Sequence, residues 1–210
     1  MGSCIKCAGS GKMGNGEICD CGAQLQKEVY LPKCLNIPIQ YQSVKYSKRF
    51  LRESQQNTLG VFMEALLTEI TNNLHTFNKN YIICAPPNSG KTVWAYNIYS
   101  TLFSKGINVP EIMDLMQVRE IMLNYYSEYA DKQQLINESK IMIVKLPMDL
   151  PNKFPETIST IIDRRVRNSC STIFLFNGSK NDLLNQDRFN KLEYMLGDGA
   201  FNSICIESFD

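Results

Sequence analysis

Several things are scarce in this 210-residue chain, and each scarcity narrows its chemistry. There is a single histidine, His75. It sits near the end of a helical pattern with no partner motif, where a helix-end residue is the simpler reading than a catalytic base. No apolar run approaches the roughly 18 residues that cross a bilayer, and the N-terminus lacks the apolar core of a secretion signal. Met1-Gly2-Ser3-Cys4-Ile5-Lys6 opens like a myristoylation signal, but Lys6 stands where Ser or Thr is needed. Charge of one sign is also missing, because the net charge is only +1. That excludes a global electrostatic attraction to nucleic acid and leaves room for local basic patches. Internal repeats and low-complexity tracts are absent. With 44% hydrophobic and 20% charged residues, the composition is that of a globular cytoplasmic protein holding one α/β domain and a small appendage.

What is present begins with cysteine. Four of the eight cysteines fall in the first 21 residues, as Cys4-x-x-Cys7 and Cys19-x-Cys21. Two close pairs joined by a short loop suit a tetrahedral Cys₄ zinc site, with each pair forming a knuckle. Gly9, Gly11 and Gly22 follow the pairs, and Gly14-Asn15-Gly16 reads as the turn between them. Two disulfides or an iron–sulfur cluster are the alternatives. The first conflicts with a cytoplasmic setting, and nothing else in the chain suggests electron transfer. With four protein thiolates and no open position, the zinc would be structural, and it would supply most of the folding energy of so small a module. Cys34, Cys84, Cys170 and Cys205 are isolated and read as packing residues. Residues 1–60 carry Lys6, Lys12, Lys27, Lys33, Lys45, Lys48, Arg49 and Arg52 against Glu17, Asp20, Glu28 and Glu53, a modest excess suited to a solvated linker face.

The next signal is Ala85-Pro86-Pro87-Asn88-Ser89-Gly90-Lys91-Thr92, a phosphate-binding loop. Tyr81-Ile82-Ile83-Cys84 before it suits a buried strand, and Val93 to Ser104 after it suits a helix ending at Lys105-Gly106. In such a loop the backbone N–H groups cradle phosphate oxygens at a helix N-terminus. Lys91 would reach the β- and γ-phosphates of ATP or ADP, and the Thr92 hydroxyl would sit on Mg²⁺. Ala85 replaces the usual first glycine.

The remaining pattern divides the chain into a zinc module (1–30), a connector (31–54) and a nucleotide-binding domain (55–210). Leu59, Phe62, Met63, Leu66, Leu67, Ile70 and Leu74 recur at helical spacing. Ile107 to Ile112 is expected as an edge strand, because Pro110 removes a ladder donor. Asp114 to Ala130 is expected as one helix, Lys140 to Leu146 as a buried strand, and Glu156 to Val166 as a helix. Ser171 to Phe176 is expected as a strand, Lys180 to Met195 as a helix, and Ser203 to Ser208 as the last strand. Strands alternating with helices give an α/β fold, a five-stranded, mainly parallel sheet flanked by helices.

In this order of elements the chain resembles the DnaC/DnaI family of bacterial replicative-helicase loaders, over roughly residues 4 to 208. The residues that carry the resemblance are the cysteine module, Ile37-Pro38-Ile39-Gln40-Tyr41, the loop at 85–92, and Ile161-Ile162-Asp163-Arg164-Arg165 leading to Thr172-Ile173-Phe174-Leu175-Phe176-Asn177. The resemblance implies an AAA+ core and a hexameric, DnaB-like replicative helicase as partner, with the zinc module docking on it. It implies contact with single-stranded DNA and self-association on the helicase. Asn177 would be the residue that polarises a water or the γ-phosphate. Arg188 falls near the family's arginine finger, which acts on a neighbouring subunit's nucleotide; a surface helix residue is the alternative. Arg164, Arg165 and Arg167 would contact phosphate, either on DNA or across an interface, or would simply stabilise a helix C-terminus. The chain ends soon after its last strand, so a helical lid domain is not expected.

The third strand breaks the family pattern. Two acids normally end it, holding Mg²⁺ and orienting the attacking water, but here Lys145 and Leu146 occupy those places, and Asp149 follows only beyond Pro147. Losing a base or water-positioning group costs roughly 10²–10⁴-fold in rate. The expectation is a protein that binds nucleotide with weak or absent hydrolysis, plausibly of phage or mobile-element origin. Two other functions remain open. One is a transposition regulator like the IstB ATPases, which share the core but usually lack the cysteine module. The other is a decoy that inhibits a host helicase or loader. A metabolic kinase fits poorly, since no acceptor-site carboxylate or lid-like arginine cluster is evident.

Overall fold

The computed structural model describes residues 56–209 except 106, 125, 202 and 203, together with Cys19 and Ile37. Cys4, Cys7 and Cys21, nearly all of the zinc module and nearly all of the connector lie outside the described residues. Cys19 is buried, and Ile37 packs into the main core.

A wide turn at Gln56–Gly60 leads into α1 (Val61–Asn72), and β1 (Asn80–Cys84) follows. Then come α2 (Lys91–Ser104), β2 (Met113–Asp114), α3 (Leu115–Leu123), a 3₁₀ turn (Ser127–Tyr129) and α4 (Ala130–Glu138). The second half runs β3 (Ile141–Leu146), α5 (Phe154–Arg167), β4 (Ser171–Phe176), α6 (Lys180–Leu184), α7 (Asp187–Phe201) and β5 (Ile204–Ser208). The five strands are all parallel, in the order β2-β3-β4-β1-β5. Every residue of β1 and β4 is buried, as the continuous apolar runs required of central strands covered on both faces.

Strand alternation sorts the core into two layers. Tyr81, Ile83, Ile141, Ile143, Ile173 and Leu175 face α1 and α2, while Ile82, Cys84, Met142, Val144, Phe174 and Phe176 face α3, α4, α5 and α7. The indole N–H of Trp94 donates to the Met63 carbonyl at 2.9 Å and ties α2 to α1. A polar core group is satisfied in a similar way at β3. β2 pairs only with Val144 and Lys145, so the N–H of Ile143 has no strand partner there and donates instead to the Tyr99 hydroxyl at 2.7 Å.

Three expected boundaries differ. The second strand is not Ile107–Ile112 but the two residues Met113–Asp114, because pairing with β3 begins only past Pro110 and ends where Asp114 caps α3. Asp114 and Gln117 form a reciprocal capping box there. The expected helix from Asp114 to Ala130 stops at Leu123, where Asn124 turns extended and Gln133 donates to the stranded carbonyls of Ile121 and Asn124. The segment 180–195 divides into α6 and α7, with Gln186 between them. Among the described residues, no helix is long and apolar enough to cross a membrane.

Candidate nucleotide site

The phosphate loop leaves the C-terminal end of β1 and enters α2, at the edge where ligands gather in open parallel sheets. Its shape is set by two left-handed residues, Asn88 (φ 63°) and Gly90 (φ 81°). Asparagine tolerates that region and glycine occupies it freely, so successive N–H groups can turn to one side. Gly90 is the N-cap of α2 and offers no side chain to the first-turn amides. An uncapped helix start behind such a loop is the geometry that accepts an anion. The loop is anchored from behind, because Ala85 N–H donates to the Phe176 carbonyl at 3.3 Å. Pro87 and Asn88 are exposed, Pro86 and Thr92 are partly so, and Ser89 is buried.

Lys91 is only 5% exposed. Its ammonium donates to the carbonyls of Ala85 (2.6 Å) and Pro86 (2.8 Å) and to the Ser89 hydroxyl (3.0 Å). All three of its protons are therefore used by the loop itself. Burial lowers its pKa to about 8, only slightly opposed by Cys84. A phosphate oxygen would take one of these bonds and supply the counter-charge that the loop lacks.

Around this loop the topology gathers the end of β3 and the end of β4. Cys84, Phe176 and Leu146 share one register row, so Ala85, Asn177 and Pro147 follow side by side at the same edge. Asn177 is exposed there. Gly178 behind it has no room for a larger residue, since a Cβ would lie 2.7 Å from the Phe176 ring.

The residues suit phosphate but not Mg²⁺. Thr92 is in place at the start of α2, yet β3 contributes Lys145 and Leu146, and no carboxylate. Asp149 is exposed beyond Pro147, in a groove lined by Met148, Asp182, Gln186, Asp187 and Arg188. Among the described residues, no three His, Cys, Asp or Glu side chains converge on a point that could hold an ion.

Arg188 is partly buried, and its guanidinium donates to the carbonyl of Leu150. Gln186 was not anticipated as a site residue. Its amide accepts from Leu150 N–H at 3.0 Å and donates to Met148 and Asp182 carbonyls at 2.9 and 3.0 Å. Together these two side chains hold the loop after β3 against the α6–α7 junction. No motif marks such a clamp; only the break between the helices hints at it.

The arginines of α5 lie elsewhere. This helix ends just before β4 begins, at the N-terminal edge of the sheet and opposite the phosphate loop. Arg164 and Arg167 are exposed there, but Arg165 is fully buried. Arg165 must therefore be withdrawn as a contact to DNA or an interface. Its guanidinium donates to Thr172 Oγ1 (2.8 Å), to the carbonyls of Ile136, Ser139 (2.9 Å) and Ser171, and to Ser139 Oγ (3.3 Å). Burial lowers its pKa to about 10. It joins the end of α4 to the start of β4.

Solved structures with this arrangement include one described as the DnaC helicase loader. It matches with a TM-score of 0.51 and 19% identity, covering 81% of this chain and all of that one. The chain shares its fold with that structure. A primosome component from Streptococcus pyogenes serotype M3 matches with a TM-score of 0.57 and 13% identity, over 87% of this chain and 96% of that one. DnaI matches with a TM-score of 0.55 and 12% identity, over 82% and 93%. These likenesses establish the α/β architecture, a five-stranded parallel sheet flanked by helices. No family model matches the chain, and no curated protein matches it.

Proposed function

We propose that this chain is a loader-like DNA replication protein that holds ATP or ADP, engages a hexameric DnaB-like helicase in the cytoplasm, and hydrolyses nucleotide weakly or not at all. The observation that carries this reading is the contrast at one sheet edge. The loop on β1 has the left-handed turns, open helix start and lysine of a phosphate site, while β3 ends without a carboxylate. The partner is inferred from the neighbours, one of which is described as a helicase loader. Self-association on the helicase, with Arg188 acting on a neighbour's nucleotide and Asn177 near the γ-phosphate, belongs to the same reading. Acting in trans would require Arg188 to release the Leu150 carbonyl. Arg164 and Arg167, exposed on the opposite edge, are basic residues placed to meet single-stranded DNA.

Zinc at Cys4, Cys7, Cys19 and Cys21 is part of the proposal, resting on cysteine spacing. The test is co-purification with a replicative helicase, followed by turnover and unwinding assays with and without ATP. Stimulated loading with little turnover is the expected result. Robust steady-state hydrolysis abolished by Lys91→Ala would overturn the weak-hydrolysis reading. Failure to contact a helicase would favour an IstB-like role, and blocked unwinding an inhibitor.

A further inference from the structure

Lys145 sits one residue before the end of β3. Ile141 and Ile143, four and two residues earlier on the strand, lie in the core layer packed by α2, so the period of two points Lys145 toward the same layer. Its register row runs from Asp114 through Lys145 and Leu175 to Ile83, two residues before the phosphate loop begins. One strand intervenes, which puts the Lys145 and Ile83 backbones about 10 Å apart, with the Lys145 side chain directed to the face of the sheet that α2 covers.

Lys145 is partly buried, and its side chain makes no hydrogen bond or ion pair among the described residues. Asp114 beside it is engaged at the start of α3, where it caps Gln117 N–H at 2.9 Å. Burial pulls the Lys145 pKa below the ordinary lysine value, and Asp114 opposes this only in part. A half-sheltered ammonium without an acceptor, two strands from the one that carries the phosphate loop, lacks the counter-charge that a phosphate would bring.

We propose that Lys145 takes the place of the divalent cation at this site. With Lys91 it would form a pair of ammonium groups that neutralise the β- and γ-phosphates, so that ATP binds without Mg²⁺. The inference rests on the nucleotide-binding reading above and deepens it. Two lysines and the α2 N-terminus would hold the phosphates without any bridging metal, and no group would be left to activate water. The site would then hold its nucleotide as a static ligand.

The test is calorimetric titration of ATP into the full chain, with Mg²⁺ and in magnesium-free buffer made without chelator, so that thiolate-held metal is undisturbed. The expected dissociation constant differs by less than about 3-fold between the two conditions. Lys145→Ala should weaken magnesium-free binding by about 10-fold or more, and Lys145→Asp should make binding depend on Mg²⁺. Thermal melts of each variant establish that it is folded. A parent protein that loses about 10-fold or more in affinity without Mg²⁺, or a folded Lys145→Ala variant that binds like the parent, overturns the inference while leaving nucleotide binding intact. No binding in either condition overturns the nucleotide reading itself.

Discussion

Arg165 and Lys145 are both cations drawn into the same sheet from opposite edges, and their surroundings could hardly differ more. At the N-terminal edge Arg165 is wholly enclosed, and its guanidinium reaches Thr172, Ser139, Ile136 and Ser171. At the C-terminal edge Lys145 is partly enclosed and has no acceptor among the described residues. A buried charge persists when its protons are satisfied internally, or when burial serves a ligand that arrives later. The first cation is therefore part of the scaffold, and the second is the one proposed for the site.

The largest expected effect comes from breaking the scaffold cation. Arg165→Ala should cost about 3–5 kcal/mol in urea unfolding, since a large cavity and several stranded acceptors arise together. Arg165→Lys should recover little, because a point charge cannot replace a planar fork. Lys145→Met should be neutral or stabilising by up to about 1 kcal/mol, as an unpaired cation is replaced by an apolar stem. Equal losses from Arg165→Ala and Lys145→Met would erase the distinction between the two edges.

Lys91 stands between these extremes, satisfied by its own loop yet held at a pKa of about 8. Its folded pKa lies below the unfolded value of 10.5, so the unfolded chain binds more protons between about 8 and 10.5. The cost of burying the cation is full below about 8 and is relieved as pH rises through that window. A shift of this size corresponds to roughly 3 kcal/mol. Urea midpoints should rise with pH across the window in the parent, and Lys91→Met should remove that rise. The same variant should bind ATP about 10–100-fold more weakly, so stability and binding move in opposite directions.

Much of this was legible in the residues. Apolar runs marked β1, β3 and β4, and the Asn-Ser-Gly-Lys-Thr stretch marked the loop, because a buried strand and an anion cradle each impose composition locally. β2 was displaced because two residues of pairing leave no periodicity to read. α4 was missed because only Ile136 of its nine residues is buried, so no apolar stripe announces it. Arg165 was misgrouped with its neighbours, since three arginines at a helix end resemble a solvated terminus. The spacing Ile158, Ile161, Ile162, Arg165 places it on the inward stripe, and that signal could have separated it. Lys145 was visible as a departure from the family pattern, but its lack of an acceptor emerges only once the strands are aligned.

The C-terminal edge can also be perturbed without touching a charge. Gly178→Ala would bring a methyl group to 2.7 Å from the Phe176 ring and 3.2 Å from Asp182 Oδ2. Phe176 is fully buried beneath it, so the ring cannot simply swing away. Destabilisation of about 1–3 kcal/mol is expected, read in the same urea titration. If Asn177 is held for the phosphates by this glycine, the folded variant should also lose ATP affinity.

The smallest effects should come from the exposed pair at the far edge. Arg164→Ala and Arg167→Ala remove cations from the last turn of α5, so each should change stability by no more than about 0.5 kcal/mol. Their value lies in the second readout, single-strand binding across a salt series. If they neutralise phosphates, each substitution should lower the slope of log affinity against log salt by about 0.7, the single-strand value per contact. Arg165 cannot contribute to that slope, because its guanidinium never reaches solvent. An unchanged slope in the double variant would reduce all three arginines to structural roles and leave, of the two sheet edges, only the phosphate-loop edge as a candidate for anion recognition.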